Sequence, residues 1–115
     1  MITRQFDREA ALARVGGDLE LLQEIAKLFL EDEQNMVSAI ESAAAAHDAK
    51  ALERTAHTLK GCVSNFGAAN CYEASLSLEK LGRNGDFSGV PDGMVRLRAS
   101  LDELRPELDA LANES

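Results

Sequence analysis

The chain has 115 residues, of which 45% are hydrophobic and only 4% aromatic, and its formal net charge is −8. This length and apolar content predict one compact domain, taken as residues 1–115 with a core over about residues 18–112, and exclude a disordered chain. The acidic balance, with no cluster of lysines and arginines, excludes the usual nucleic-acid binders and proteins that bind acidic membranes.

Two helices are predicted in the first part of the chain. Asp7 can cap a short helix over residues 8–15, which Gly16–Gly17 then ends. Asp18 can cap a long helix from Leu19 to about Ala46, because apolar residues recur there at helical period. The apolar stripe of this second helix consists of Leu22, Ile25, Phe29, Met36, Ile40 and Ala43.

The third predicted helix runs from about Ala49 to Phe66, with Asp48 as its N-cap. Gly67 follows directly and suits the position after a helix end, because glycine adopts positive φ without a steric penalty. This segment holds the most informative residues of the chain.

A fourth helix is predicted from about Ala69 to Leu81, with Asn70 and Glu73 resembling a capping box. The stretch from Gly82 to Gly89 then reads as a loop. The last helix starts near Val90–Asp92, where a proline in the first turn is acceptable.

The apolar residues of the last helix alternate at spacings of four and three, which is the seam of helices packed at a shallow angle. These residues are Val90, Met94, Leu97, Leu101, Leu104, Leu108 and Leu111. The stripe continues past Pro106, so we expect a kink there rather than an end. With no β-type alternation and short connections, the pattern predicts an all-α fold: an antiparallel up-down four-helix bundle with a short additional N-terminal helix.

A helical wheel of the third helix separates a core stripe from an outer face. At about 100° per residue from Leu52, His57 lies about 140° away, Gly61 about 180° away and Lys60 about 80° away. The core stripe consists of Leu52, Ala56, Leu59, Val63 and Phe66. His57 is therefore predicted to face solvent, with Gly61 one turn further on the same face and Lys60 on the flank.

Gly61 is the unusual member of this set, because glycine inside a helix is about 1 kcal/mol worse than alanine. An outward position imposes no packing limit, so the fold does not require it. A bare patch beside an exposed imidazole makes sense if another molecule must approach the ring closely. An exposed, neutral imidazole can act as a nucleophile, and with Lys60 nearby it suits a phosphoryl group carried on the ring.

The stretch AHTLKGCVSNFGA resembles the signature of histidine-containing phosphotransfer (HPt) domains, through His57, Lys60, Gly61 and Gly67. Further stretches are similar to the regions that precede and follow this motif in the family, namely VGGDLELLQEIAKLFLED, AHDAKALERTAHTLKG and ASLSLEKLGRNGD. The resemblance covers most of the chain.

The resemblance implies a phosphocarrier of phosphorelay signalling, which accepts a phosphoryl group from a receiver-domain aspartate and passes it to another. His57 would accept the group through Nε2, Lys60 would neutralise the phosphate, and Gly61 would give the partner steric clearance. Response-regulator receiver domains are the implied partners, together with a hybrid sensor histidine kinase. We expect a monomer without autonomous enzymatic activity, with no ATP site and no cofactor of its own, so Mg²⁺ would come with the receiver.

Location and docking surface follow from weaker signals. No apolar run approaches membrane-spanning length, and residues 1–15 lack a signal peptide, so we expect a cytoplasmic protein that does not bind membranes. Cys62 and Cys71 could pair in principle, but we expect reduced thiols. On the second helix, Leu21 and Leu28 are expected to pack against the N-terminal helix, with an exposed docking patch as the alternative. Two residues of the opposite flank that could border the site are Gln34 and Ser38.

Three other functions compete with the phosphocarrier. A helical adaptor that is never phosphorylated explains the bundle but leaves Gly61 unexplained. A metal or haem bundle needs inward ligands such as Glu-x-x-His, whereas Arg54 stands three residues before His57. The motif also resembles the N-terminal domain of chemotaxis-type kinases, in which a catalytic domain phosphorylates the histidine directly. The start at Met1 favours a free-standing protein over a module of a hybrid kinase.

Overall fold

In the computed structural model, the described residues are 6–114. They form five α-helices, with no strand in this part of the chain: α1 (Arg8–Arg14), α2 (Leu19–Ala45), α3 (Ala49–Ser64), α4 (Ala69–Asn84) and α5 (Val90–Ala112). The predicted all-α class is confirmed here, while residues 1–5 and 115 of the predicted domain lie outside the described range. Within that range no helix combines the length and the apolar character needed to cross a bilayer.

The first three helices begin where capping chemistry predicts. Asp7, Asp18 and Asp48 each stand before a helix with extended backbone, and each side chain accepts a hydrogen bond of 3.1 Å from a backbone N–H three residues later. Each such cap stabilises its helix by about 1 kcal/mol, because it satisfies a donor that the helix itself leaves free. The starts of α1, α2 and α3 are therefore fixed locally.

The end of α3 comes two residues earlier than predicted. The helix stops at Ser64, and the chain turns through Asn65 and Phe66 to Gly67, which has a φ of 61°. A Cβ on Gly67 would lie 2.7 Å from Cβ of Asp7. Glycine is thus required for its backbone conformation and also because the start of α1 lies directly against it.

The fourth helix differs from its prediction at both ends. Its N-cap is Ala68, which makes no side-chain hydrogen bond, so the predicted capping box of Asn70 and Glu73 is wrong. The helix already begins at Ala69, which places Asn70 inside the first turn. At the other end α4 continues to Asn84, so the first three residues of the predicted loop, Gly82 to Asn84, are helical.

The last helix runs without interruption through Pro106, as expected. Pro106 is exposed, so its ring points away from the packed face, and the kink stays a prediction. The seam predicted for α5 is buried except at Met94, which is partly buried.

The long helices enclose one core. α3 packs against α2 and α4, and α5 packs against the same two helices. Contacts between α2 and α5 pair Gln23 with Leu111 and Glu33 with Arg105. The partner number falls along α5 as it rises along α2, so these two helices run antiparallel. The predicted core stripe of α3 is fully buried at all five positions.

A glycine brings α4 unusually close to α3. A Cβ on Gly82 would lie 2.5 Å from the backbone nitrogen of Glu53 and 2.9 Å from the carbonyl oxygen of Ala49. The two backbones therefore touch at this crossing. One turn away along each helix, the same approach places Glu79 of α4 beside His57 of α3.

Candidate functional site around His57

His57 lies on the outer face of α3, as the helical wheel predicts. Its side chain is 65% exposed, and Nδ1 lies 2.8 Å from Oε2 of Glu79. Because an ionised carboxylate only accepts hydrogen bonds, Nδ1 of the neutral ring carries the hydrogen and Nε2 keeps the lone pair. No group among residues 6–114 hydrogen-bonds Nε2, so this nitrogen is open to solvent.

Glu79 is the central residue of the site, and sequence analysis missed it. Its side chain is only 5% exposed, yet it carries two ion pairs besides the contact to His57. Lys60 Nζ lies 2.8 Å from Oε1, and the Arg83 guanidinium lies 3.2 Å from Oε2. Burial raises the pKa of the Glu79 carboxyl, but hydrogen bonds from Lys60 and His57 outweigh burial and hold that pKa below its ordinary value.

The Lys60 side chain is more buried than its predicted position on the flank of α3 suggests. Its side chain is 17% exposed, and its ammonium lies between the Glu79 carboxylate and the ring of Tyr72, 5.8 Å from the ring centroid. The Lys60 ammonium, predicted to lie beside the imidazole, therefore contacts the Glu79 carboxylate, and the same carboxylate contacts His57 Nδ1. Among the described residues, Lys60 is the only partner of the buried oxygen Oε1.

Gly61 leaves open space on the same face. A Cβ built there would meet nothing within 4 Å, apart from the atoms of its own helix turn. The predicted gap one turn from His57 is thus present, and neither packing nor positive φ explains it.

The sequence holds only part of the signal for Glu79, namely its place beside the small and apolar residues of α4. The buried face of α4 contains Cys71, Ala74, Ser75, Leu78 and Gly82, and Glu79 lies on the edge of this face. An acidic residue that is almost fully buried requires a partner. The small side chains on that face indicate a close approach to another helix, and α3 carries the cation that such a carboxylate needs.

The flank of α2 that faces α3 is apolar and exposed. Leu21 is 46% exposed and Leu28 is 62% exposed, so the expected packing of both against the N-terminal helix is wrong. A groove of about 200 Å³ lies between α2 and α3. It is lined by Ile25, Leu28, Phe29, Asp32, Met36, Cys62, Asn65 and Phe66.

The other flank of α2 turns away from the site. Gln34 lines a groove shared with α5, together with Arg98 and Arg105. Because α3 and α5 pack on different sides of α2, the expectation that Gln34 borders His57 is wrong. Ser38 lies one turn further along the same flank.

The exposed imidazole of His57, the ammonium of Lys60 and the open space at Gly61 thus lie near one another on α3, as the resemblance to histidine phosphotransfer domains implies. The model of the Hpt domain family matches residues 24–107, which is well over half of the chain. The chain therefore belongs to the Hpt domain family, and its function is histidine phosphotransfer in phosphorelay signalling.

Individual relatives agree with this assignment. The sensory/regulatory protein RpfC from two strains of Xanthomonas campestris pv. campestris is 31% identical over 100 residues. That alignment covers 87% of this chain but 13% of RpfC, so the chain spans about an eighth of the length of these curated relatives. The crystal structure of histidine-containing phosphotransfer protein B (HptB) from Pseudomonas aeruginosa PAO1 superimposes with a TM-score of 0.89 at 21% identity, covering 99% of both chains.

Proposed function

We propose that His57 is the phosphoryl acceptor of a two-receiver relay. It takes the group from the aspartyl phosphate of one receiver domain and passes it to the aspartate of another, and one of these receivers can belong to a hybrid sensor histidine kinase. One observation carries this proposal: Nδ1 of an exposed ring is held by Glu79, which leaves Nε2 open beside Gly61.

The transfer needs no proton movement within the domain. The lone pair of Nε2 attacks phosphorus, the Nε2–P bond forms, and the P–O bond to the receiver carboxylate breaks, roughly in line. The ring keeps its Nδ1 hydrogen and becomes a cation, while the receiver aspartate leaves as a carboxylate. Transfer to the next receiver reverses these bond changes and returns a neutral imidazole.

Glu79 stabilises the ring through this cycle. The cationic phosphoimidazole stands 2.8 Å from a carboxylate oxygen, so charge develops where an anion is already fixed. Lys60 balances Glu79 from the other oxygen and supplies a positive charge near the incoming phosphoryl group. The domain thus contributes positioning and electrostatics, which are the main requirements for phosphoryl transfer.

The docking face is proposed to include Gly61 and the groove between α2 and α3. A receiver must bring its own loops to within bonding distance of Nε2, and the open space at Gly61 permits that approach. The exposed side chain of Leu28 continues the same face and supplies apolar area for the contact.

We further propose the finer architecture expected from the sequence, an antiparallel up-down four-helix bundle of α2 to α5 with α1 across one end. The antiparallel pairing of α2 with α5 supports it, as does the hydrogen bond from Asp7 N to Phe66 O at the end of α3. The whole chain, residues 1–115, would act as one monomeric domain in the cytoplasm, where the thiols of Cys62 and Cys71 stay reduced.

We propose that the partner proteins, and not this domain, supply the Mg²⁺ and the phosphoryl group. Mg²⁺ would enter with the receiver domain, and the phosphoryl group would come from its aspartate rather than from ATP, so the domain is a carrier and not an enzyme. Among residues 6–114, no three His, Cys, Asp or Glu side chains are grouped to hold a metal ion. The relay therefore depends on complementary parts of two proteins.

The test compares the wild-type protein with His57→Gln, using receivers charged with radiolabelled phosphate. We expect acid-labile, base-stable label on the wild type from a preferred receiver and none on the variant, with the same unfolding temperature. His47→Gln is the matched control and should accept label normally. Label on His57→Gln at the wild-type rate would exclude the assignment, and label that requires an ATP-loaded kinase catalytic domain would favour the kinase-linked alternative.

A further inference from the structure

Arg83 on α4 joins two carboxylates beside His57. Its Nε donates a hydrogen bond of 2.9 Å to Oε2 of Glu53, and its Nη2 donates one of 3.2 Å to Oε2 of Glu79. The Glu79 oxygen is the same one that accepts the hydrogen of His57 Nδ1. The guanidinium and the imidazole therefore meet on a single carboxylate oxygen.

The positions of these residues make the bridge specific to the site. Glu53 precedes His57 by one turn on α3, and Arg83 follows Glu79 by one turn on α4. A guanidinium has donors in a fixed fork and can hold both carboxylates at once, whereas the single ammonium of lysine cannot reproduce that geometry. Arg83 thus acts on the one buried carboxylate that orients the ring.

We propose that Arg83, held in place by Glu53, is a positioning residue for the phosphoryl chemistry at His57, acting through the Glu79 oxygen that it shares with the ring. The proposal rests on the proposed function of His57. Arg83 fixes the rotamer of the Glu79 carboxylate, and it takes up part of the negative charge on the oxygen that it shares with the imidazole.

The charged groups near His57 come from two helices. On α3 they are Glu53, Arg54 and Lys60, and on α4 they are Glu79 and Arg83, with Tyr72 packed over Lys60. α2 also packs against α3, but its Asp32 lies on the other flank, near the thiol of Cys62. Loss of Arg83 removes one cation from this set. The proton on Nε2 of His57 should therefore be lost at higher pH in the variant than in the wild type.

The first measurement is an NMR titration of the histidine ring protons in the unphosphorylated protein. For Arg83→Ala we expect the titration midpoint of His57 to move to higher pH than in the wild type. Arg98→Ala is the matched control, because Arg98 is equally exposed at 54% and pairs with Glu41 on the far side of α2. It should leave the midpoint unchanged, and His47 provides an internal reference in every spectrum.

Two further variants separate charge from geometry. Arg83→Lys keeps the charge but loses the fork, so its midpoint should lie between those of the wild type and Arg83→Ala. Glu53→Gln removes an anion and releases Arg83 towards Glu79, so its midpoint should fall. The acidic limb of the pH profile for label uptake should move with these midpoints, because a protonated Nε2 has no lone pair for attack.

The outcomes distinguish this proposal from the function on which it rests. Equal midpoints and equal pH profiles for Arg83→Ala and Arg98→Ala, with normal labelling of the wild type, would overturn the positioning role alone. Absence of label on the wild type from any charged receiver would overturn the proposed function, whatever the titrations give. A rise confined to Arg83→Ala, seen in both the titration and the pH profile, supports the proposal.

Discussion

At the scale of single residues, Gly61 and Glu79 carry opposite kinds of information. Gly61 lowers the helix propensity of α3, and a Cβ there would contact nothing outside its own helix turn. Glu79, in contrast, is buried and contacts three side chains. A residue that weakens a helix without a packing reason indicates an external requirement. A buried carboxylate with three partners indicates an internal one.

Substitution Gly61→Ala should raise stability and lower function. Alanine removes the helix penalty of glycine, so the free energy of unfolding should rise by about 0.5–1 kcal/mol. The added methyl group projects into the space that a receiver is proposed to occupy, so transfer should slow by about tenfold, and Gly61→Leu should be slower still. Urea unfolding and single-turnover labelling measure the two effects. Transfer at the wild-type rate by Gly61→Leu would show that the gap serves no partner.

Substitution Glu79→Gln should destabilise the domain in a pH-dependent way. The pKa of Glu79 lies below its ordinary value of 4.5, so the carboxylate stabilises the folded state fully above that pH and loses this effect as pH falls through the lower folded-state pKa. We expect a loss of about 1–3 kcal/mol at pH 7 that shrinks steadily below pH 4.5.

Urea unfolding from pH 7 to pH 3 measures this difference. Glu24→Gln is the control, since Glu24 is 66% exposed and, within residues 6–114, forms an ion pair with Lys27 alone at 3.6 Å, which should contribute little. A pH-independent loss in Glu79→Gln would mean that its charge is not what stabilises the fold.

Sequence reasoning reached one half of the site and missed the other for a physical reason. His57, Lys60 and Gly61 lie within a single helix, so the helical period alone relates them to one another. Glu79 is 22 residues from His57, and its role depends on which face of α4 touches α3. That information is tertiary, and a helical wheel of one segment does not contain it.

At the scale of elements, the crossing of α3 and α4 sets the geometry of the site. Gly82 allows the two backbones to touch, and the capping aspartate at position 48 fixes where α3 begins. The starts of α1, α2 and α3 were predictable because the side chain of the residue before each helix determines them. The extension of α4 to Asn84 was not, because Gly82 reads locally as a breaker and is retained by its contact with α3.

Substitution Gly82→Ala should therefore lower the free energy of unfolding, whereas Gly61→Ala should raise it. The new Cβ would lie 2.5 Å from a backbone nitrogen of α3, and backbone atoms inside a helix cannot move aside. We expect a loss of about 1–3 kcal/mol in the free energy of unfolding, despite the better helix propensity of alanine. Chemical denaturation of both variants in parallel measures the contrast. If both substitutions stabilise the protein, the close approach of α3 and α4 is not as described.

At the scale of the whole molecule, the two sides of α2 have different roles. One side shares a partly buried ion pair with α5, in which Arg105 donates to both oxygens of Glu33 at 3.0 and 2.6 Å. The other side faces α3 and exposes Leu28 next to the open groove. The side that faces α5 stabilises the bundle, and the side that faces α3 is proposed to bind the receiver.

The exposed Leu28 on the α3 side of α2 is expected to determine how the receiver is oriented on the domain. Leu28→Ser should weaken transfer by about tenfold through a higher KM, because docking would bury a side chain worth roughly 1.5–3 kcal/mol when fully covered. Val95→Ser on α5 is the matched control, since Val95 is 68% exposed and lies away from the groove. Gln34→Ala tests the flank that faces α5. Both control variants should transfer at the wild-type rate, and all three should unfold like the wild type because their side chains are exposed. Slow transfer by Val95→Ser or Gln34→Ala together with normal transfer by Leu28→Ser would move the docking face from the α2–α3 side of the bundle to the α5 side.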